Sequence, residues 1–140
     1  MIFHSLQLES FSHETEDEEK VREAMLNLLP EEVRNTAPKI ERELLNGTHG
    51  NKIIILRIDF KKQGDVKKIF DFILENLDEK GGVEDRIDDD CNFFVRFDKQ
   101  EAYSGKLRLS SQDSIQLKGK VAAYPACRSK AVEIMKGVWC

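Results

Sequence analysis

The chain changes hydrophobic period several times, and those changes divide it into elements. Residues 2–11 step by two, with Leu6 and Leu8 on one side and Gln7 and Glu9 on the other, as a half-buried strand does. From residue 15 the step lengthens. Thr15-Glu16-Asp17-Glu18 reads as a capping box, acids fill the first turn where the helix dipole favours them, and Val21, Ala24, Met25 and Leu28 follow at helical spacing as far as Leu29-Pro30. Residues 31–38 read as a connection with one short turn. Ile40, Arg42 and Leu44 fit either period. The turn-rich Asn46-Gly47-Thr48-His49-Gly50-Asn51 and the alternation of Ile54, Leu56, Ile58 and Phe60 beyond it favour a strand there, closing a hairpin.

The strongest helical signal opens at Gly64-Asp65, where Val66, Ile69, Phe70, Ile73, Leu74 and Leu77 form one apolar stripe that needs a sheet to cover. Residues 78–90 read as a polar loop or frayed segment. Phe93, Val95 and Phe97 then alternate with Phe94, Arg96 and Asp98, residues 98–103 make a short turn or helix, and residues 106–109 are extended. In a last strand, residues 115–124, Ile115, Leu117, Val121 and Ala123 lie on one face and Gln116, Lys118, Lys120, Ala122 and Tyr124 on the other. A closing helix after Pro125 presents Ala131, Val132, Ile134, Met135 and Val138. Five or six strands and three main helices in mixed order predict one α+β domain over residues 1–140. Its form is a two-layer sandwich, a mostly antiparallel sheet with helices packed on one face.

Composition narrows the class. With 40% hydrophobic and 34% charged residues, 140 residues can bury one core under an ionic surface, which excludes disordered and collagen-like chains. No apolar run approaches the length of a membrane span and Met1-Ile2-Phe3-His4 lacks the basic start of a secretory signal, so an intracellular, cytoplasmic protein is expected. Cys91, Cys127 and Cys140 are widely separated and read as free thiols. The net charge of −4 hides an asymmetry: residues 99–140 carry eight Lys/Arg against three Asp/Glu, and residues 1–98 carry 14 against 23. Five acids between Glu14 and Glu19 are explained as helix-start chemistry. The run Asp88-Asp89-Asp90 lacks EF-hand spacing and reads as a solvated linker, so no metal site is expected.

If the helices cover one face, the opposite face collects Arg57, Arg96, Lys106, Arg108, Lys118 and Lys120, interleaved with Phe94 and Tyr124. Cations neutralise phosphates and rings stack on bases, so this combination suits single-stranded RNA. The plainer alternative is a polar outer face that only solvates a one-sided sheet. His49, Gly50 and Asn51 form a loop able to offer backbone N–H groups and an imidazole to a phosphate or base. Lys99, Gln100 and Tyr103 follow a strand end near the same face, and Arg128 and Lys130 extend the phosphate footprint at the start of the last helix. No Walker or GxGxxG pattern, HExxH or GxSxG is present, so neither a cofactor nor a catalytic constellation is indicated.

Several stretches also carry a resemblance: residues 11–21 with Asn27-Leu28-Leu29-Pro30, His49-Gly50-Asn51, Asp98-Lys99-Gln100 with Ala102-Tyr103 and Gly105, and Ala122-Ala123-Tyr124-Pro125-Ala126. Over nearly its whole length the chain resembles an archaeal RNA-binding family predicted to contain exosome-associated subunits and similar in fold to the fifth protein of the large ribosomal subunit. The resemblance implies an α+β sandwich, RNA as partner and a cytoplasmic setting, with His49, Gly50, Asn51, Lys99, Gln100 and Tyr103 as RNA positions. Lys52 stands where that family often has proline, placing a cation beside His49. Two functions follow: a non-catalytic RNA-binding protein acting with RNA-processing machinery, or a protein-interaction subunit of such an assembly whose acidic blocks dock a basic partner.

Overall fold

A computed structural model describes residues 1–110 and 112–139. It contains strands β1 (Phe3–His13), β2 (Glu41–Asn46), β3 (Lys52–Phe60), β4 (Asn92–Asp98) and β5 (Ser114–Val121), and helices α1 (Glu18–Leu26), α2 (Glu31–Arg34), α3 (Gln63–Asn76), α4 (Lys99–Tyr103) and α5 (Arg128–Val138). The strands form one sheet in the order β2-β3-β1-β5-β4, and every neighbouring pair is antiparallel. Helices lie on one face, as the alternation of the strands requires. The expected α+β sandwich and the strand at residues 41–46 are both present.

The inner face is built from Leu6 and Leu8 of β1, Leu56 and Ile58 of β3, Phe93, Val95 and Phe97 of β4, and Ile115 and Leu117 of β5, all buried. Val66, Ile69, Phe70 and Ile73 of α3 and Val21, Ala24 and Met25 of α1 close over them. An aromatic group joins the layers at one end. Phe3 meets Phe70 edge-on at 4.9 Å, Phe93 meets Trp139 at 5.1 Å, and the Trp139 indole donates to the Lys80 carbonyl. Phe3 and Leu6 both face inward because β1 shifts register between Phe3 and Ser5, inserting His4 as an extra, exposed residue.

Three boundaries differ from the expected ones, each for a local reason. Helix α1 starts two residues later than the capping box suggested, because Asp17, in an extended conformation, accepts from the Glu19 N–H as N-cap while Glu16 turns back to accept from the His13 N–H. Helix α3 starts at Gln63, whose amide donates to the Phe3 and His4 carbonyls and ties the helix to β1. Strand β5 ends at Val121, where Ala122 N–H bonds the Ile2 carbonyl and the chain turns away.

The sheet's two margins differ. Strand β2 is exposed along its whole length. Strand β4 is covered: Leu109 bridges Phe97, Asp98 N–H bonds the Arg108 carbonyl and Ser110 N–H bonds the Arg96 carbonyl, so residues 108–110 lie beside β4 like a short sixth strand.

Candidate nucleic-acid interface

The bare outer face is made by alternate residues of each strand, and the register fixes their neighbours. One row runs Phe94, Lys118, Gln7, Asp59 from β4 to β3. The next runs Arg96, Gln116, Glu9, Arg57, with Glu41 beyond on β2. A third contains Asp98, Ser114, Phe11, Ile55 and Glu43. The face is therefore divided. The β4–β5 half holds Arg96 and Lys118, neither with a carboxylate within 4.0 Å among the described residues, on either side of the half-buried ring of Phe94. The β1–β3–β2 half holds Glu9, Asp59, Glu41 and Glu43.

This division corrects the expectation of a continuous basic face. Arg57 belongs to the acidic half: its guanidinium donates to Glu9 at 2.7 Å and to Glu43 at 3.0 Å, and those hydrogen bonds hold it above its ordinary pKa. The acids were visible as outward residues, but which of them neighbours which cation depends on strand order. Lys120 lies on the outer face opposite Ser5 and Asn92, with its ammonium bonded to the Asp90 carbonyl. Lys106 is exposed and has no carboxylate within 4.0 Å among the described residues, while Arg108 stands at the outer margin with Glu101 at 3.7 Å.

Several expected contact residues lie elsewhere. Lys99 is buried, 8% exposed, and its ammonium is consumed internally: it donates to the Phe11 carbonyl at 2.7 Å, to Glu16 at 3.1 Å and to Asp113 at 3.0 Å. An ammonium drawn out of water needs such partners, and the three it finds come from three separate segments. Tyr103 faces the helical layer instead of the outer face, with the Lys20 ammonium of α1 5.7 Å from its ring centre. Arg128 donates to the Glu84 and Ile87 carbonyls, which compensates a cation at the unfavourable end of a helix, and Lys130 sits 3.5 Å from Glu133. Tyr124, beyond the end of β5, is 73% exposed and meets His4 of the bulge edge-on, with hydroxyl and imidazole 3.4 Å apart.

His49, Gly50 and Asn51 are exposed at the tip of the β2–β3 hairpin, with His49 and Gly50 both at positive φ. The register Ile53↔His13 places this tip at the sheet end where β1 finishes and β4 hands over to α4. At that end a polar cleft of about 670 Å³ is lined by His13, Glu16, Lys99, Gln100 and Asp113. His13, Glu16 and Asp113 could together ligate a cation, but both carboxylates already bind the Lys99 ammonium, which supplies the positive charge. The aspartate run makes a local turn: Asp88 accepts from the Asp90 and Asn92 N–H groups, and these bonds outweigh its burial and hold its carboxyl below the ordinary range. Cys91 is buried, Cys127 is partly exposed and Cys140 lies outside the described residues.

Sequence reasoning set Gln7 and Gln116 on outward faces but missed that strand pairing gathers them, with Asn92, around Phe94 and Lys118. Arg108 was expected on this face, and residues 108–110, lying beside β4, carry it to the margin.

The comparisons with known proteins agree with this architecture. RNA-binding protein PAB1135 of Pyrococcus abyssi is 31% identical over 140 residues, covering 95% of this chain and 91% of the relative. Protein AF2318 of Archaeglobus fulgidus superposes with a TM-score of 0.86 at 33% identity over 99% of both chains. A DUF54 protein of Methanothermobacter thermautotrophicus does so with a TM-score of 0.84 at 34% identity over the whole of both. A family model described as RNA binding matches residues 5–121, from the start of the regular part of β1 to the last residue of β5, and the chain belongs to that family.

Proposed function

We propose that the protein binds RNA, without chemical turnover, through the β4–β5 half of its outer face. The observation that carries this is the pairing of Phe94 with Lys118 and the adjacent Arg96, two cations without carboxylate partners among the described residues, beside a ring on an open sheet surface. Phosphates supply the missing counter-charge and a base covers the ring. Family membership supports the same partner class. Among the described residues no helix is long and apolar enough to cross a membrane. As part of the same proposal, the protein acts in the cytoplasm with RNA-processing machinery. The resemblance read from the sequence adds two finer points, association with the exosome and likeness to a large-subunit ribosomal protein.

Fluorescence anisotropy of labelled RNAs across a salt series tests the reading. Binding that weakens steadily with salt and collapses in Lys118→Glu/Lys120→Glu is the expected result. Absence of binding to every RNA at low salt refutes it.

A second reading, a protein-interaction subunit, rests on the other half of the face. There Phe11 and Leu45, each 41% exposed, lie on the outer side with the half-buried Ile53, over the buried Ile55 and beside Glu43 and Glu9. An apolar patch rimmed by carboxylates suits a basic protein surface.

A further inference from the structure

The outer face carries a lane as well as a patch. Lys118 on β5, Arg96 on β4 and Arg108 on the margin are successive diagonal neighbours: Arg96 lies opposite Gln116, two residues from Lys118, and beside Ser110, two residues from Arg108. Diagonal positions on a sheet are about 7–8 Å apart. Phe94 fills the corner between the first two cations. The surroundings close the other routes. Glu9 and Asp59 bound the lane on the β1–β3 side, and Asp90 stands beyond Lys120 at the lower end. Asp98, next to Arg108, turns its carboxylate back to cap α4 through the Glu101 N–H, so the carboxylate nearest Arg108 is that of exposed Glu101, at 3.7 Å, which a phosphate would displace.

Resting on the RNA reading, we infer that this lane takes a single-stranded segment of about three nucleotides, with one unpaired base stacked on Phe94 and the adjoining phosphates on Lys118, Arg96 and Arg108. The ring decides between single strand and duplex. In a helix the bases are paired and turned from a flat protein surface, so a duplex lying on these three cations leaves Phe94 uncovered. A splayed single strand buries it. The flanking amide of Gln116 is placed to meet base edges, while the Gln7 amide already donates to Asp59 and the Asn92 amide to Asp88.

The test compares one RNA sequence as a single strand and as a blunt duplex by anisotropy across a salt series. The single strand binds at least about tenfold tighter, and Phe94→Leu loses about tenfold on the single strand while Phe94→Tyr, which keeps a stacking ring, does not. Lys118→Gln, Arg96→Gln and Arg108→Gln each reduce the slope of log affinity against log salt by about 0.7. Lys67→Gln, on the exposed side of α3, leaves it unchanged. Equal or tighter duplex binding, or an unchanged affinity in Phe94→Leu, overturns the single-strand lane while leaving RNA binding in place. No binding of either form overturns both.

Discussion

Lys99 and Lys118 illustrate how far a residue's identity is from its role. Both sit in the basic C-terminal third, and the family resemblance favours Lys99 as the RNA contact. Yet Lys99 spends its charge on Phe11, Glu16 and Asp113, whereas Lys118 reaches no carboxylate among the described residues. Lys99→Met removes those bonds and leaves two carboxylates facing one another, partly relieved by water. The expected loss of unfolding free energy is about 1–2 kcal/mol in urea denaturation, with RNA affinity per folded molecule unchanged. A loss of affinity at full stability would return Lys99 to the binding surface. Nothing in the local sequence separates the two lysines, because the partners of Lys99 lie 14, 83 and 88 residues away.

At the scale of elements, periodicity located the strands and long helices well, since a side chain's face depends only on its position along its own strand or helix. Boundaries and bulges depended on neighbours. The inward turn of both Phe3 and Leu6 needs the extra residue His4, and the space they fill exists because β5 offers Gly119 opposite Leu6. A methyl at Gly119 would stand 2.7 Å from the Phe3 ring and 2.9 Å from Leu6. Gly119→Ala therefore costs about 1–3 kcal/mol, seen as a lowered urea midpoint, and an unchanged midpoint would show that β1 can shift to absorb it. The alternation of Leu117 and Val121 marked position 119 as inward; only the packing of β1 explains why it must be small.

For the whole molecule, the joints between peripheral segments are carboxylates. Glu18 binds Arg22 on its own helix and Arg42 on β2, Glu84 binds Lys136 of α5, and Asp88 pins the turn into β4. Burial raises the Glu18 carboxyl, but the hydrogen bonds from Arg22 and Arg42 outweigh it and leave it below its ordinary 4.5. Glu84 is lowered by Lys136 and Asp88 by the N–H groups it accepts. A folded-state pKa below the unfolded one contributes stability that is complete above the unfolded value and disappears as pH falls through the folded one. The urea midpoint should thus hold between pH 7 and about pH 5 and decline below about pH 4. Glu18→Gln should flatten part of that decline, and an unaltered pH profile in this variant would show that the α1–β2 joint contributes nothing. Candidate site and fold differ in legibility for the same reason: the sandwich follows from patterns within elements, whereas the division of the outer face follows from strand order.

That division bears on how a polyanion would find the protein. With a net charge of −4, the molecule exerts no long-range pull on RNA; at a distance it repels. Counter-ions confine this repulsion to about 8 Å at physiological ionic strength, and within that range the local arrangement of charge replaces the net charge. On the proposed interface a strand arriving over Glu41 and Asp59 would be turned away, and one arriving over Arg96 and Lys118 would be held. There the acidic half would act as a filter on approach angle, giving up speed of capture for a single orientation of the bound chain.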